Sequence, residues 1–506
     1  MTPVVHELLP APDPAHACEA LERLSYRVFL DSATPGTRFG RYSFLTADPV
    51  ALVRSKRNRT EWLSPRGECT VIEGSPIDAV RRWLEPFAVQ PLEGLPPFQG
   101  GAAGYVGYEF GRTLEPMPES RYDDLALPDV VLGLYDWVLA WDHVASRAWL
   151  VSTGIPETDP AQRRARAEVR CDAVLALLDR TRQSSGAPEG APYVPISFVD
   201  GRSWPAPPEP APSYAVDEPR LARTQDLRSS FTRDAYIDAV TKVREYIAAG
   251  DVFQANLSQR FEAPIEESAW SLYKRLRTRN PAPFAAFLDF PEGRVLSASP
   301  ERFLRVSPDG WVETRPIKGT RPRGLTPEHD AHLGRELTGS EKDQAENLMI
   351  VDLMRNDLSR VCRPGSVRVS ELFALEHFAT VHHLVSTVVG QLEPDRDALA
   401  LLLAAFPGGS VTGAPKLRAM EIIAELEPSE RGVYCGCIGY SSMTGALDTS
   451  IAIRTAVVRG GRVTFSAGGG ITFDSDSIGE YRETLDKARG MIDSLATTDG
   501  AGTRQP

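Results

Sequence analysis

Nine prolines fall between Ser184 and Pro219, and neither a helix nor a central strand can run through them. Proline lacks the amide hydrogen that both arrangements require, and its ring fixes the backbone φ. The stretch is read as a linker or surface excursion over 184–228, separating a region over 1–183 from another over 229–495. At 506 residues the chain exceeds one compact core of ordinary size, so two domains or one large folding unit are expected. Residues 496–506 are expected to be a disordered tail.

With 42% hydrophobic and 25% charged residues the chain has the balance of a soluble globular protein. Its net charge of -12 argues against nucleic acid as a partner, because phosphate binding needs a basic face. An acidic protein that handles an anionic substrate needs local cations or a metal. The six cysteines are scattered, which suits a reducing compartment, and Cys435 and Cys437 read as small buried hydrophobes. Met1 to Pro14 lacks the pattern of a secretory signal, and no run of about 18 apolar residues occurs. A cytoplasmic location without membrane contact is expected.

Short apolar runs at Val130 to Trp141 and Ala148 to Ser152 read as strands, followed by a helix near Ala161 to Gln183. Beyond the prolines, Thr232 is a candidate N-cap for a helix that Gly250 stops. Val252 to Phe261, Arg294 to Ala298, Arg302 to Val306, Val433 to Ser441, Ala446 to Val458 and Arg462 to Ala467 read as strands. Lys342 to Val361 and Ala414 to Leu426 read as helices, with Pro415 at a first helical position. The class is α/β or α+β.

Several residues can carry chemistry. Asp343 with Glu346, and Glu480 with Glu483, are spaced i, i+3 on one face of their helices. If the four converge, Mg²⁺ is the economical counter-charge, since it prefers carboxylate oxygen; read alone they are equally solvated helix charges, with Glu483 paired to Lys487. Gly468-Gly469-Gly470 follows a strand and precedes a polar turn, so its amides suit a carboxylate, or form a simple tight turn. Gly408 to Lys416 leads a loop into a helix but lacks the spacing of an ATP-binding P-loop. His382 and His383 sit in an apolar context that suits structural histidines. Glu301, at a turn between strands, is a candidate general acid if buried and an ordinary surface charge if not. Lys318 lies in a stretch, Pro316 to Gly324, read as a loop. Most loop lysines are solvated charges, although a desolvated one becomes a nucleophile.

Six motifs occur together and in order: FQGGAAGYVGYE (Phe98 to Glu109), GDVFQANLSQRF (Gly250 to Phe261), SASPERFL (Ser297 to Leu304), VDLMRNDLSRVC (Val351 to Cys362), FPGGSVTGAPK (Phe406 to Lys416) and AGGGITFDSDSIGEYRETLDKA (Ala467 to Ala488). In these the chain resembles component I of the chorismate-converting amidotransferase complexes, anthranilate synthase and aminodeoxychorismate synthase. The resemblance implies a large layered sandwich of two β-sheets flanked by helices, with an anthranilate synthase component I-like region first and the chorismate-binding region after the prolines. It implies that Glu346 and Glu483 ligate Mg²⁺ directly, with Asp343 and Glu480 behind them through water. Chorismate would rest its ring carboxylate on the metal and on the Gly469 and Gly470 amides, and its enolpyruvyl carboxylate on Arg454 and Tyr434. Ser410, Lys416, Thr320 and Gln254 would complete the substrate site, with Glu301 the acid near the C4 hydroxyl and His383 a catalytic histidine close to the site. Isochorismate and salicylate synthases resemble this sequence but carry a water-activating lysine where Gln254 stands, which argues against those activities.

Lys318 divides the two synthases. Anthranilate synthases read P-I-A-G-T there, and aminodeoxychorismate synthases P-I-K-G-T, as in this chain. The resemblance implies that Lys318 attacks C2 as the C4 hydroxyl leaves, that ammonia then enters at C4, and that the product feeds 4-aminobenzoate and folate biosynthesis. Such a lysine must be neutral, and at a reference pKa of about 10.4 only ~0.04% is free amine at pH 7. Its pKa is therefore expected to be depressed. The sequence contains no glutaminase site, so a separate amidotransferase subunit is expected to supply ammonia. Phe29-Leu30-Asp31-Ser32 stands where anthranilate synthases bind tryptophan, which leaves tryptophan binding near Ser32 open. Anthranilate synthase and a non-catalytic chorismate or tryptophan sensor are the competing readings.

Overall fold

The computed structural model describes residues 3–34, 39–64, 68–180, 204–216, 218, 226–378 and 381–496. Two antiparallel sheets, of thirteen and twelve strands among the described residues, carry the fold. Both are built from strands on either side of the proline-rich stretch. In the first sheet Arg27–Asp31 pairs with Phe284–Phe290, and in the second Gly101–Val106 pairs with Cys437–Ser442. Phe44, Ala286 and Val457 of the first sheet meet Ala103, Tyr105 and Tyr440 of the second in one buried cluster, so the sheets pack face to face. Phe98 stacks on Tyr440 at 4.5 Å between ring centres and meets Phe44 edge-on at 5.7 Å. Burying each such ring is worth about 1.5–3 kcal/mol. Helices cover the outer faces, among them Arg233–Ala248 and Ser477–Leu495 on the first sheet and Glu341–Ser359 on the second.

The described part of the proline-rich stretch lies against this body. Trp204 Nε1 donates to the Ala126 carbonyl at 2.6 Å, and the Ala211 amide donates to Asp124 at 3.0 Å. Tyr214–Ala215 then pairs with Arg228–Ser229 at the edge of the first sheet. Residues 184–203 of the expected linker and 497–506 of the expected tail lie outside the described residues.

Local chemistry accounts for the helix ends. Thr232 caps Arg233–Ala248 through the Ala235 amide at 3.2 Å, and Gly250 follows with φ of +85°. Ser340 caps Glu341–Ser359, and Asp476 caps Ser477–Leu495. Pro415 occupies the N-cap position, not the first turn, of Lys416–Leu426.

The strand expectations need four corrections, one being that Val433 to Gly436 is a turn ahead of the strand Cys437–Ser442. Gly468 to Gly470 is not a turn: it continues the strand Arg462–Ile471, paired with Gln254–Pro264. Ala446 to Val458 is two strands, Leu447–Ile451 and Thr455–Arg459, broken where Arg454 adopts a φ of +49°. Lys318 is not in a loop; it belongs to the edge strand Ile317–Pro322, whose register on Val381–Gln391 shifts between Ile317 and Thr320. Gly319, at φ +87°, permits this irregularity. Among the described residues no helix is long and apolar enough to cross a membrane.

Candidate active site

The bulge at Lys318 and Gly319 turns the lysine toward the first sheet. Its Nζ lies 3.2 Å from where a Cβ on Gly470 would stand, and Gln254 Nε2 lies only 1.7 Å from that point. The bare Gly470 backbone therefore lets the Gln254 amide and the Lys318 amine pack directly against it, which any side chain would prevent. Burial holds the Lys318 pKa below its usual value; Glu346, Glu301 and Glu483 pull it upward and Lys487 pushes it down further.

Glu301, 4% exposed, lies at the turn between Gly293–Ser299 and Arg302–Val306 and is electrostatically coupled to Lys318. Burial raises its carboxyl pKa to about 7, against the opposing pull of the Ser410 hydroxyl, the Lys318 charge and the Ile317 amide. Gln254 is fully buried, and among the described residues neither its Oε1 nor its Nε2 has a hydrogen-bond partner. Unpaired buried amides are costly, and a polar ligand at this point would satisfy them.

His383, 2% exposed, sits opposite Thr320 in the register of the second sheet, with its Nδ1 2.8 Å from the Thr320 hydroxyl. Its Nε2 has no hydrogen-bond partner among the described residues. Burial, and then the charge of Arg454, push its pKa down to about 3, so the ring is neutral at working pH. Arg454 itself is half-buried at the break between two strands, and its guanidinium makes no ion pair or hydrogen bond among the described residues. A cation so placed suits an anion from outside the chain.

The four acidic residues lie near the N-termini of two helices, Glu341–Ser359 and Ser477–Leu495. Glu480 Oε2 and Glu483 Oε1 each lie 3.1 Å from where a Cβ on Gly469 would stand. Burial raises Glu480 and Glu346. It would raise Glu483 too, but Lys487 at 2.6 Å overrides it and lowers that pKa. Asp343 pairs with Arg321 at 3.2 Å. As the side chains stand, no described group of three or more His, Cys, Asp or Glu is assembled to hold a metal ion. The donor chemistry still suits Mg²⁺: hard oxygens, two of them disfavoured as ions by burial, beside a glycine that leaves room.

Lys318, Glu301, Ser410, Gln254, Gly469, Gly470, Glu346, Glu480, Glu483, His383, Thr320 and Arg454 are linked through these contacts and electrostatic couplings. Lys416 is not among them, because its ammonium binds Asp357 at 2.7 Å and the Ala405 carbonyl at 3.0 Å. Tyr434 is half-buried against the core under the second sheet. Sequence reasoning missed Lys342, whose Nζ lies 3.9 Å from Glu346 and 4.0 Å from Glu480, and Arg321. Only Lys342, four residues before Glu346, had a local signal. Ser32 lies elsewhere, on a cavity of about 350 Å³ that also touches Asp31, Arg41, Arg302 and Tyr440. Its hydroxyl donates to the Tyr42 carbonyl at 2.7 Å, and Asp31 is held by Arg277 at 2.7 Å.

The chain is similar to known proteins over most of its length. Aminodeoxychorismate synthase component 1 of Salmonella typhimurium is 41% identical over 498 residues, covering 98% of this chain and 99% of that protein. Anthranilate synthase component 1 of Mycolicibacterium smegmatis is 38% identical over 473 residues, covering 92% and 85%. The crystal structure of anthranilate synthase component I from Streptococcus pneumoniae superposes with a TM-score of 0.71 at 31% identity, over 89% of this chain and 92% of that one. The two-sheet architecture expected from the sequence is therefore the one present. Residues 27–493 match the chorismate binding enzymes, and the chain belongs to that family.

Proposed function

We propose that this chain is the large subunit of a 4-amino-4-deoxychorismate synthase, aminating chorismate at C4 with ammonia from a separate glutamine amidotransferase subunit. The observation that carries the reading is Lys318: an amine of lowered pKa beside the Gly470 backbone and the Gln254 amide, coupled to the raised carboxyl of Glu301. The component 1 names of the relatives support a second component.

Two displacements follow from this pair. The Lys318 amine forms a bond to C2, the ring double bonds shift, and the C4–O bond breaks. Glu301 gives its proton to the departing hydroxyl, which leaves as water, and the new ammonium on Lys318 loses its proton. Ammonia then bonds to C4 as the C2–N bond to Lys318 breaks; the departing nitrogen takes up one proton and the new C4 ammonium gives up one, returning the free amine and leaving the enolpyruvyl group in place. Arg454 and Tyr434 would hold the enolpyruvyl carboxylate, and the Gly469 and Gly470 amides the ring carboxylate. Glu346 and Glu483 would ligate Mg²⁺, backed by Asp343 and Glu480; when bound, that ion supplies positive charge for the substrate's carboxylate. His383, neutral and held by Thr320, can accept a hydrogen bond without adding charge.

The purified chain, given chorismate, Mg²⁺ and ammonium at alkaline pH, is expected to form 4-amino-4-deoxychorismate, identified by mass spectrometry and NMR. Anthranilate as the major product would reject the reading in favour of the synthase whose name several relatives carry. Tryptophan in the cavity beside Ser32 is a subsidiary proposal; equilibrium dialysis that detects no binding to the purified chain rejects it.

A further inference from the structure

The walls of the site come from distant parts of the chain. Ser410 comes from the turn before Lys416–Leu426, Gln254 opens a first-sheet strand, and Tyr434 lies in the turn before Cys437–Ser442. One buried ion pair reaches the backbone of all three. Arg431 is 7% exposed and Glu427 5%. The guanidinium binds the carboxylate through two atoms, Nε to Oε2 at 2.8 Å and Nη2 to Oε1 at 2.7 Å. Its remaining donors go to backbone: Nη1 to the Val411 carbonyl at 2.9 Å and Nη2 to the Asn256 carbonyl at 2.8 Å. Glu427 Oε1 accepts in addition from the amide and hydroxyl of Ser258, both at 2.8 Å. Asn256 passes the connection on, with Nδ2 3.2 Å from the carbonyls of Ser410 and Thr412. The guanidinium lies over the Tyr108 ring at 4.7 Å and the Tyr434 ring at 5.8 Å, and the Arg431 carbonyl accepts from the Tyr434 amide at 3.2 Å.

A pair buried this deeply pays a desolvation cost that cancels much of its attraction, and two apolar side chains would join the same elements as firmly. Apolar side chains cannot, however, hold three backbone groups and a hydroxyl at set angles as a planar fork and a carboxylate do. The groups held are neighbours of reacting ones: Val411 follows Ser410, whose hydroxyl bonds Glu301, and Asn256 is two residues from Gln254. A misplacement of about 1 Å in such groups costs ~10²-fold in rate.

We propose that Glu427 and Arg431 form a positioning pair that sets Ser410, and through it Glu301, in register with the Gln254 strand and the Tyr434 turn. The inference rests on the chorismate-converting reading above. It is tested by following chorismate consumption, whatever the product, with the full chain, Mg²⁺ and ammonium. Arg431→Lys keeps the charge and loses the fork; its kcat is expected to fall ten- to a hundredfold at temperatures where circular dichroism shows it folded. Because Arg431 acts through Ser410, Arg431→Lys combined with Ser410→Ala should lose less than the product of the two single losses.

Arg170→Lys is the comparator. It disturbs an equally buried group, paired with Asp48 at 2.9 Å and Asp136 at 3.2 Å, and should lower Tm while leaving kcat within threefold. If Arg431→Lys behaves in that way, or if its loss multiplies with that of Ser410→Ala, the proposal is overturned. Should Arg431→Lys fail to fold, Asn256→Ala, which removes only the amide contacts to Ser410 and Thr412, enters the same cycle with the same criteria. A parent chain that consumes no chorismate rejects the reaction and the proposal together. An active parent with multiplicative losses rejects the positioning alone.

Discussion

Two residues of opposite type have been driven toward neutrality in the same pocket. Burial lowers Lys318 and raises Glu301 to about 7, so each lies closer to its uncharged form than in water. The rate at which Lys318 reacts with an amine-selective reagent, read by peptide mass spectrometry, should therefore reach half-maximum well below the usual lysine pKa of 10.5. A midpoint at that usual value would count against an active amine. For Glu301 the folded state holds a proton up to about 7 and the unfolded chain only to 4.5, so stability falls as pH rises through that window. Glu301→Gln removes this loss. Urea unfolding should show the variant more stable than the parent by up to about 3 kcal/mol at pH 8, with no gain at pH 4, while turnover is lost. His383, pushed down to about 3, should show no imidazole titration by NMR between pH 5 and 9.

At the level of elements, the helices were readable because their ends carry local chemistry: Thr232 and Gly250 bracket one of them without help from tertiary contacts. The strand ends near the site were not. Pro316 to Gly324 has neither period-2 alternation nor β-branched runs, yet Ile317–Pro322 pairs with Val381–Gln391 because the neighbouring strand offers an open edge. The glycine run reads as a turn because nothing local shows that Gln254 and the helix Ser477–Leu495 will close on it. That difference is testable. Gly470→Ala drives a methyl into Gln254 and against Lys318, so kcat should fall by at least ~10²-fold with a modest change in Tm. Gly468→Ala places its Cβ 2.4 Å from the Leu257 carbonyl. It should instead destabilise the fold by about 1–3 kcal/mol in denaturant titration.

Across the whole molecule, the halves on either side of the prolines complete each other's sheets. Arg27–Asp31 has its partner beyond residue 280, and Gly101–Val106 has its partner beyond residue 430. Fragments 1–183 and 229–495 made separately would leave those edges and the inter-sheet aromatic core uncovered. Neither is expected to unfold cooperatively by calorimetry, whereas the intact chain should. A cooperative transition in either fragment would contradict this dependence.

The sequence by itself determined the chemistry available: four carboxylates at i, i+3 spacing, a glycine run, and a lysine in P-I-K-G-T. Side-chain type and helix spacing are local properties, so they are legible without a fold. The tertiary structure alone decided which of these groups meet. It turned Lys416 to Asp357 and, among the described residues, left Arg454 without a counter-ion and buried Gln254 with no side-chain hydrogen bond. It also set where the protons reside, because desolvation depends on what packs against a group. For Lys318 that surrounding comes from Glu301, Glu346 and Gly470, which are near it only once both sheets have formed.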